Sequence, residues 1–251
     1  QKVGIATASG LSARHAAERY GFGFASSQES DILGNPQVQI VAILTRHQHH
    51  ARQVMQALQA GQHVFCEKPL AITSEEVEAI QQLLIQKPSA LLTVGFNRRF
   101  APFSQKLLEF FSGRQEPLFI NYRVNAGYLP LTHWLHDPQQ GGGRIVGEGC
   151  HFIDYLTFLV GKPPVRVRTV GLPDSERYRQ DNVSMTFIFE DGSIGNVIYL
   201  ANGDKSFPKE RVEVFCSGRV AVLEDFRSLE LVGNGRSQKF SSHLRQDKGH
   251  Q

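Results

Sequence analysis

The 251-residue chain has little cysteine: three residues, Cys66, Cys150 and Cys216. They form an odd set, spaced neither for a metal site nor for a disulfide scaffold, so a reducing, cytoplasmic setting is expected. No run of about 18 apolar residues occurs, so no membrane-spanning helix is expected. No signal-peptide pattern precedes the first strand-like segment. The net charge is only +3, with basic residues scattered. Pairs such as Arg98–Arg99 and Arg166/Arg168 are too small for the basic stripe of a nucleic-acid binder. Internal repeats and low-complexity linkers are also lacking. The rest is ordinary for a globular protein, with 41% hydrophobic and 20% charged residues and enough length for two modest domains. Both ends read as cuts in a longer protein. The chain opens directly into the strand-like run Lys2–Thr7 without Met and stops in the polar stretch Asp247–Gln251.

The first part alternates strand and helix. Strands are expected at Val3–Thr7, Val38–Leu44, His63–Cys66 and Leu91–Gly95. Ser12 is expected to cap a helix through Tyr20, with Ala13, Ala16, Ala17 and Tyr20 on one face and Gly21 at its end. Ala51, Val54, Met55 and Leu58 stand at i, i+3, i+4, i+7, the inward stripe of a second helix closed by Gly61. Thr73-Ser-Glu-Glu76 is a capping box opening a third, which Pro88 ends. Repeated βα units imply a parallel sheet covered by helices, with ligands at the carboxyl ends of its strands. From about Asn97 the character changes. A helix at Pro102–Phe111 and a strand at Leu118–Val124 precede Gly141-Gly-Gly143, which leads into a helix through about Leu159. Strands follow at Val165–Gly171, Val183–Phe189, Ser193–Leu200, Val212–Cys216 and Val220–Leu223, with Asp191-Gly192 as a hairpin signal. The expected fold class is α/β: a partial Rossmann-type parallel sheet over residues 1–97, then an α+β domain with an open, mostly antiparallel sheet over 98–251.

No G-x-G-x-x-G is present. Thr7-Ala-Ser-Gly10 before a helix is read as a plain βα turn rather than a pyrophosphate loop. As a second βα turn it carries no acid to hold an adenosine ribose, which leans the cofactor toward NADP over NAD. Glu67-Lys68-Pro69 follows a buried strand at the sheet's functional edge. Lysine there can stabilise an alkoxide, and Pro69 can fix a cis or sharp turn; spacing alone serves a surface Glu-Lys turn equally. Thr45-Arg-His-Gln-His-His50 has no carboxylate or cysteine at ligand spacing, so a polar loop lining a cofactor is expected and no metal. Glu148, His151, Asp154 and Tyr155 share one helical face at ~100° per residue, opposite Phe152, Ile153, Leu156, Leu159 and Val160. A surface histidine paired with Asp154, or an acid/base oriented by Glu148 or Asp154, both satisfy that spacing.

Four motifs, in order and at suitable spacing, give the chain its resemblance to the Gfo/Idh/MocA oxidoreductases. They are Thr45-Arg-His-Gln-His-His50, Glu67-Lys-Pro69, Val94-Gly-Phe-Asn-Arg-Arg99, and Gly141-Gly-Gly143 followed by His151 and Asp154. The resemblance implies NAD or NADP as cofactor and a sugar, sugar nucleotide or cyclitol as substrate. It implies Lys68 as the catalytic lysine and His151 as the acid/base. Thr45, Arg46, His50, Glu67 and Lys68 would line the nicotinamide side, Ser9 would sit near the adenosine ribose, and Asn97, Arg98, Trp134 and Glu148 would lie on the substrate side. It also implies a homo-oligomer built through the antiparallel sheet, and a missing first βα unit. Gly147 stands where the family often has Asp, and Arg46-His47 replaces Pro-Asn. The Gly-Glu-x-Cys-His-Phe-Ile-Asp string resembles a subgroup sometimes fused behind a zinc-type dehydrogenase module. A cofactor-binding sensor without turnover and an NAD-dependent glycoside-cleaving enzyme are the alternatives on the same fold.

Overall fold

Short strands alternate with helices over the first hundred residues because apolar runs of strand length are followed by helical periodicity. In the computed structural model, which describes residues 1–242 and 246–250, the chain divides into two compact units. One comprises Gln1–Gly95 with Pro138–Gly142; the other comprises Phe96–Asp137 with the chain from Gly143 onward. Among the described residues, no helix is long and apolar enough to cross a membrane.

The first unit runs β1 (Gly4–Ala6), α1 (Gly10–Tyr20), β2 (Phe24–Ser26), β3 (Ile40–Ile43), α2 (His47–Gln59), β4 (His63–Cys66), α3 (Ser74–Gln86) and β5 (Leu92–Val94). β1 pairs with β2, and β3-β4-β5 pair in that order, all in parallel. Helical crossovers make parallel pairing possible. The core joins Val41, Ile43, Val64 and Cys66 of the strands to Ala51, Val54, Ala57 and Leu58 of α2 and Ile80 of α3. The capping box at Thr73 is complete, with both reciprocal bonds made. The cap of α1 differs from expectation. Ser9, in extended conformation, accepts from the Ser12 amide, whereas the Ser12 hydroxyl turns back to donate to the Ser9 carbonyl. Two serines three residues apart compete for the cap, and the one still outside the helical dihedrals takes it. Tyr20 is exposed, so the inward face of α1 narrows to Ala13 and Ala17.

The second unit contains α4 (Pro102–Phe110), β6 (Phe119–Asn125), a π-helical turn (Ile145–Gly149) and α5 (Cys150–Val160). The strands β7 (Pro164–Gly171), β8 (Asn182–Phe189), β9 (Ile194–Leu200), β10 (Glu210–Cys216), β11 (Arg219–Glu224), β12 (Ser228–Gly233) and β13 (Arg236–Ser241) follow. They form a sheet of order β13-β12-β11-β10-β6-β9-β8-β7. Every neighbour in it is antiparallel except β6 and β9. The chain is thus α/β, with parallel Rossmann-like strands followed by a large, mostly antiparallel sheet. Its inner face carries Tyr122, Val124, Val197, Tyr199, Val212 and Leu223 against Phe152, Leu156 and Leu159 of α5.

Helix α5 departs from the expected amphipathic division. Tyr155 is fully buried; its hydroxyl donates to Ser104 Oγ at 2.9 Å and its ring meets that of Tyr122 edge-on. Asp154 is also buried, paired with Arg99. The helix is therefore covered on more than one flank. Close approach to the sheet occurs at Gly195 of β9, where a Cβ would stand 2.7 Å from Leu156 Cδ1. Gly195→Val is expected to push Leu156 outward and to lower stability by about 1–3 kcal/mol. Urea unfolding checks this, and an unchanged midpoint would show that Leu156 repacks freely.

Candidate active site

Two groups of side chains, one in each unit, carry the residues singled out by the sequence. In the first unit, parallel pairing sends the segments after β3, β4 and β5 out of one edge of the sheet. The segment after β3 carries Thr45 and Arg46, both exposed, and then enters α2. Thr45 Oγ1 donates to Gln53 Oε1 at 2.7 Å, and Gln53 Nε2 donates to Glu29 at 2.6 Å. The segment after β4 is Glu67-Lys68-Pro69, with a cis Lys68–Pro69 peptide and Lys68 half-buried. Glu67 lies over the backbone of Gly95: a Cβ there would stand 3.1 Å from Glu67 Oε2. The Lys68 amide donates to that same carboxylate at 3.3 Å. Glycine at position 95 thus makes room for the acid that fixes the lysine turn.

The three histidines of α2 point in different directions. The His47 ring donates through Nδ1 to Gly141 O at 3.0 Å, and the Gln48 amide donates to Gln140 O, which ties residues 138–142 to the start of the helix. Burial holds His47 below the ordinary histidine value, helped by the positive charges of Lys68 and His50 and opposed by the Gly141 carbonyl. His50 is 1% exposed and faces two backbone carbonyls. His49 meets the Gln48 side chain. Among the described residues, no three His, Cys, Asp or Glu side chains group as metal ligands. Ser9 is exposed at the amino end of α1, within a hydroxyl cluster in which Thr7 and Ser12 bond at 2.6 Å. Cys66 is sealed in the core, and burial pushes its thiol up to about 12.

In the second unit His151 lies in the first turn of α5, half-buried, with the Phe96 ring set edge-on at 6.2 Å. Glu148 precedes it in the π-helical turn. Arg144 donates to Glu148 Oε2 at 2.9 Å through Nη2 and the Tyr199 hydroxyl donates to the same oxygen, while Lys209 Nζ stands 3.7 Å from Oε1. Burial would raise the Glu148 carboxyl, but Lys209, Tyr199 and Arg144 together hold it below the usual glutamate value. It is a fixed carboxylate. Arg144 in turn donates to Gly127 O at 2.8 Å. Trp134 opens a short 3-10 turn and lies beside the His133 ring. Asn97 and Arg98 are buried and engaged within the unit. Asn97 Nδ2 donates to Lys248 O at 2.6 Å, and Arg98 clasps Glu210 through Nε and Nη2, both at 2.8 Å. Tyr199 and Lys209 around Glu148 were not among the residues singled out by sequence. Tyr199 stands at an inward position of β9, where a core tyrosine looks the same; only Arg144, four residues before Glu148, carried a local signal.

A family model described as an oxidoreductase family with an NAD-binding Rossmann fold matches residues 1–96. The Gfo/Idh/MocA C-terminal domain model matches residues 116–221. A 1,5-anhydro-D-fructose reductase of Ensifer adhaerens is 30% identical over 77% of this chain and 56% of its own length. A levoglucosan dehydrogenase of Pseudarthrobacter phenanthrenivorans is 30% identical over 63% of this chain and 42% of its own. The chain therefore spans about half the length of these relatives. Among solved structures, a levoglucosan dehydrogenase in complex with NADH and levoglucosan superposes with a TM-score of 0.83 at 24% identity. It covers 99% of this chain and 73% of its own. At that identity the likeness is one of fold. With matching models in both units and motifs at their expected places along the chain, the protein belongs to the Gfo/Idh/MocA family of oxidoreductases.

Proposed function

We propose that the intact protein is a nicotinamide-dependent oxidoreductase acting on a hydroxyl or carbonyl of a sugar, sugar nucleotide or cyclitol. The observation that carries this is Lys68, set by Glu67 and Gly95 on the turn leaving β4 at the carboxyl edge of the NAD-binding unit. The residues there suit a dinucleotide. Ser9 and Thr7 offer hydroxyls at the amino end of α1, whose first turn has no acidic residue. Thr45 and Arg46 are exposed beyond β3. The missing acid favours a 2′-phosphate over a free ribose hydroxyl, and so NADP over NAD. A bound nicotinamide supplies the hydride acceptor or donor. Lys68 holds the substrate oxygen and stabilises the negative charge that develops on it. His151 accepts or returns the hydroxyl proton. Glu148, locked as a carboxylate by Arg144 and Tyr199, presents a fixed acceptor for a substrate hydroxyl.

The relatives' printed activities, on 1,5-anhydro-D-fructose, levoglucosan and scyllo-inositol, support this substrate class. Self-association through the large sheet is part of the same proposal. On the face away from α5, a cross-strand row runs Ile188, Ile194, Phe119, Phe215, Val220, Val232. Of these, Phe119 and Phe215 are exposed. The test is calorimetric titration of the intact protein with NAD and NADP, followed by turnover on a polyol panel. Binding in the micromolar range with reduction of one cofactor is expected. Binding without turnover on any polyol would point to a sensor, and no binding of either would overturn the proposal.

A further inference from the structure

Two backbone carbonyls converge on one buried ring in the first unit. His50, 1% exposed, has Nδ1 2.6 Å from Pro69 O and Nε2 2.9 Å from Thr45 O. A carbonyl only accepts, and a neutral imidazole has a single N–H. With one proton, the ring would bond one carbonyl and turn a lone pair toward the other, at a distance where two acceptors repel. With a proton on each nitrogen, it satisfies both. The neighbouring His47 ring faces the Gly141 carbonyl. It lies 5.8 Å from that of His50, tilted by 55°.

The two carbonyls belong to the two segments that matter. One closes the exit from β3 at Thr45; the other lies one residue beyond Lys68. We propose that His50 is a positioning residue, donating from both ring nitrogens and so bracing the Lys68–Pro69 turn against the Thr45 segment. With both ring nitrogens turned to backbone carbonyls, it acts by holding Lys68 in place. This rests on the reading of Lys68 as the group that receives the substrate oxygen. Without the brace, the Pro69 and Thr45 carbonyls lose this donor in the protein interior, and the turn loses its tie to the Thr45 segment through the ring. A shift of about 1 Å at a catalytic group costs about 10²-fold in rate.

Two measurements test the brace. Histidine-selective ¹⁵N NMR of the intact wild-type protein is expected to show both His50 ring nitrogens carrying slowly exchanging protons; one unprotonated nitrogen would overturn the proposal. In kinetics, His50→Phe is expected to lower kcat about 10²-fold, with the KM for cofactor and substrate moving far less. His50→Asn, which keeps a donor near the Nδ1 position and hence toward Pro69, is expected to recover part of that loss. Wild-type kcat in a folded His50→Phe protein would overturn it as well. If His50→Phe does not fold, the wild-type ring signals decide. If Lys68→Met leaves turnover intact, the assignment of Lys68 fails, while the NMR result still tests the brace alone.

Discussion

Replacing Lys68 with Met in the intact protein is expected to lower kcat by about 10²–10³-fold while leaving cofactor affinity within a few-fold of wild type. The magnitude is that of removing one preorganised group aimed at developing oxyanion charge. Methionine keeps the length and the apolar stem of the side chain and deletes only the charge and its donors, so the turn after β4 should survive. That turn is fixed largely by backbone: the Glu67 amide bonds to Ile43 O, the Gly95 amide to Cys66 O, and the Lys68 amide to the Glu67 carboxylate. None of these needs the lysine amine. A fall in kcat with KM nearly constant would place the interaction in the transition state; a rise in KM alone would place it in ground-state binding. Unchanged kcat in a folded protein would remove Lys68 from the chemistry.

The elements most legible in sequence were those written in local spacing. The capping box at Thr73, the i, i+3, i+4, i+7 stripe of α2 and the closing Gly21 of α1 each depend on residues within a turn or two, and each is present. β2 is only three residues long. β13, Arg236–Ser241, is an exposed edge strand of mostly polar residues, so it carries no alternation to read. The division of α5 into an apolar and a polar face failed at Tyr155, because a tyrosine whose hydroxyl finds Ser104 is core while looking amphipathic. The candidate site divides the same way. Glu67-Lys68-Pro69 and His50 stand out as motifs, and the Arg144–Glu148 pair stands at i, i+4. What fixes Glu148 from the other side, Tyr199, lies 51 residues away along the chain, and only the folded sheet brings it there. The second carbonyl of His50 is likewise invisible in sequence, since backbone acceptors leave no mark on residue type.

The same long-range logic governs the largest stability effect expected. Glu210 is 1% exposed and accepts four donors: Arg98 through Nε and Nη2, the Tyr122 hydroxyl at 2.5 Å, and Lys248 Nζ at 2.6 Å. Burial by itself would raise this carboxyl, but the bonds and charges of Arg98 and Lys248 outweigh it and hold it well below the ordinary glutamate value of 4.5. Glu210→Gln preserves shape and removes the charge, leaving Arg98 buried beside a neutral amide. Breaking a buried pair on one side costs about 3–5 kcal/mol, which lowers the melting temperature by on the order of 10 °C. Because the carboxyl is depressed in the folded state, its stabilisation is complete above about pH 4.5 and is lost progressively as the pH falls toward the native value. Wild type should therefore lose stability on acidification through this window, and Glu210→Gln should lose less over the same range. Replacing Arg98 by Met together with Glu210 by Leu should recover part of the loss, since an apolar pair strands no Arg98–Glu210 charge. Melting curves of the three proteins between neutral and acid pH check this. Parallel pH dependences for wild type and Glu210→Gln would show that the charge of Glu210 does not hold α4's approach, Arg98 and the chain around Lys248 together.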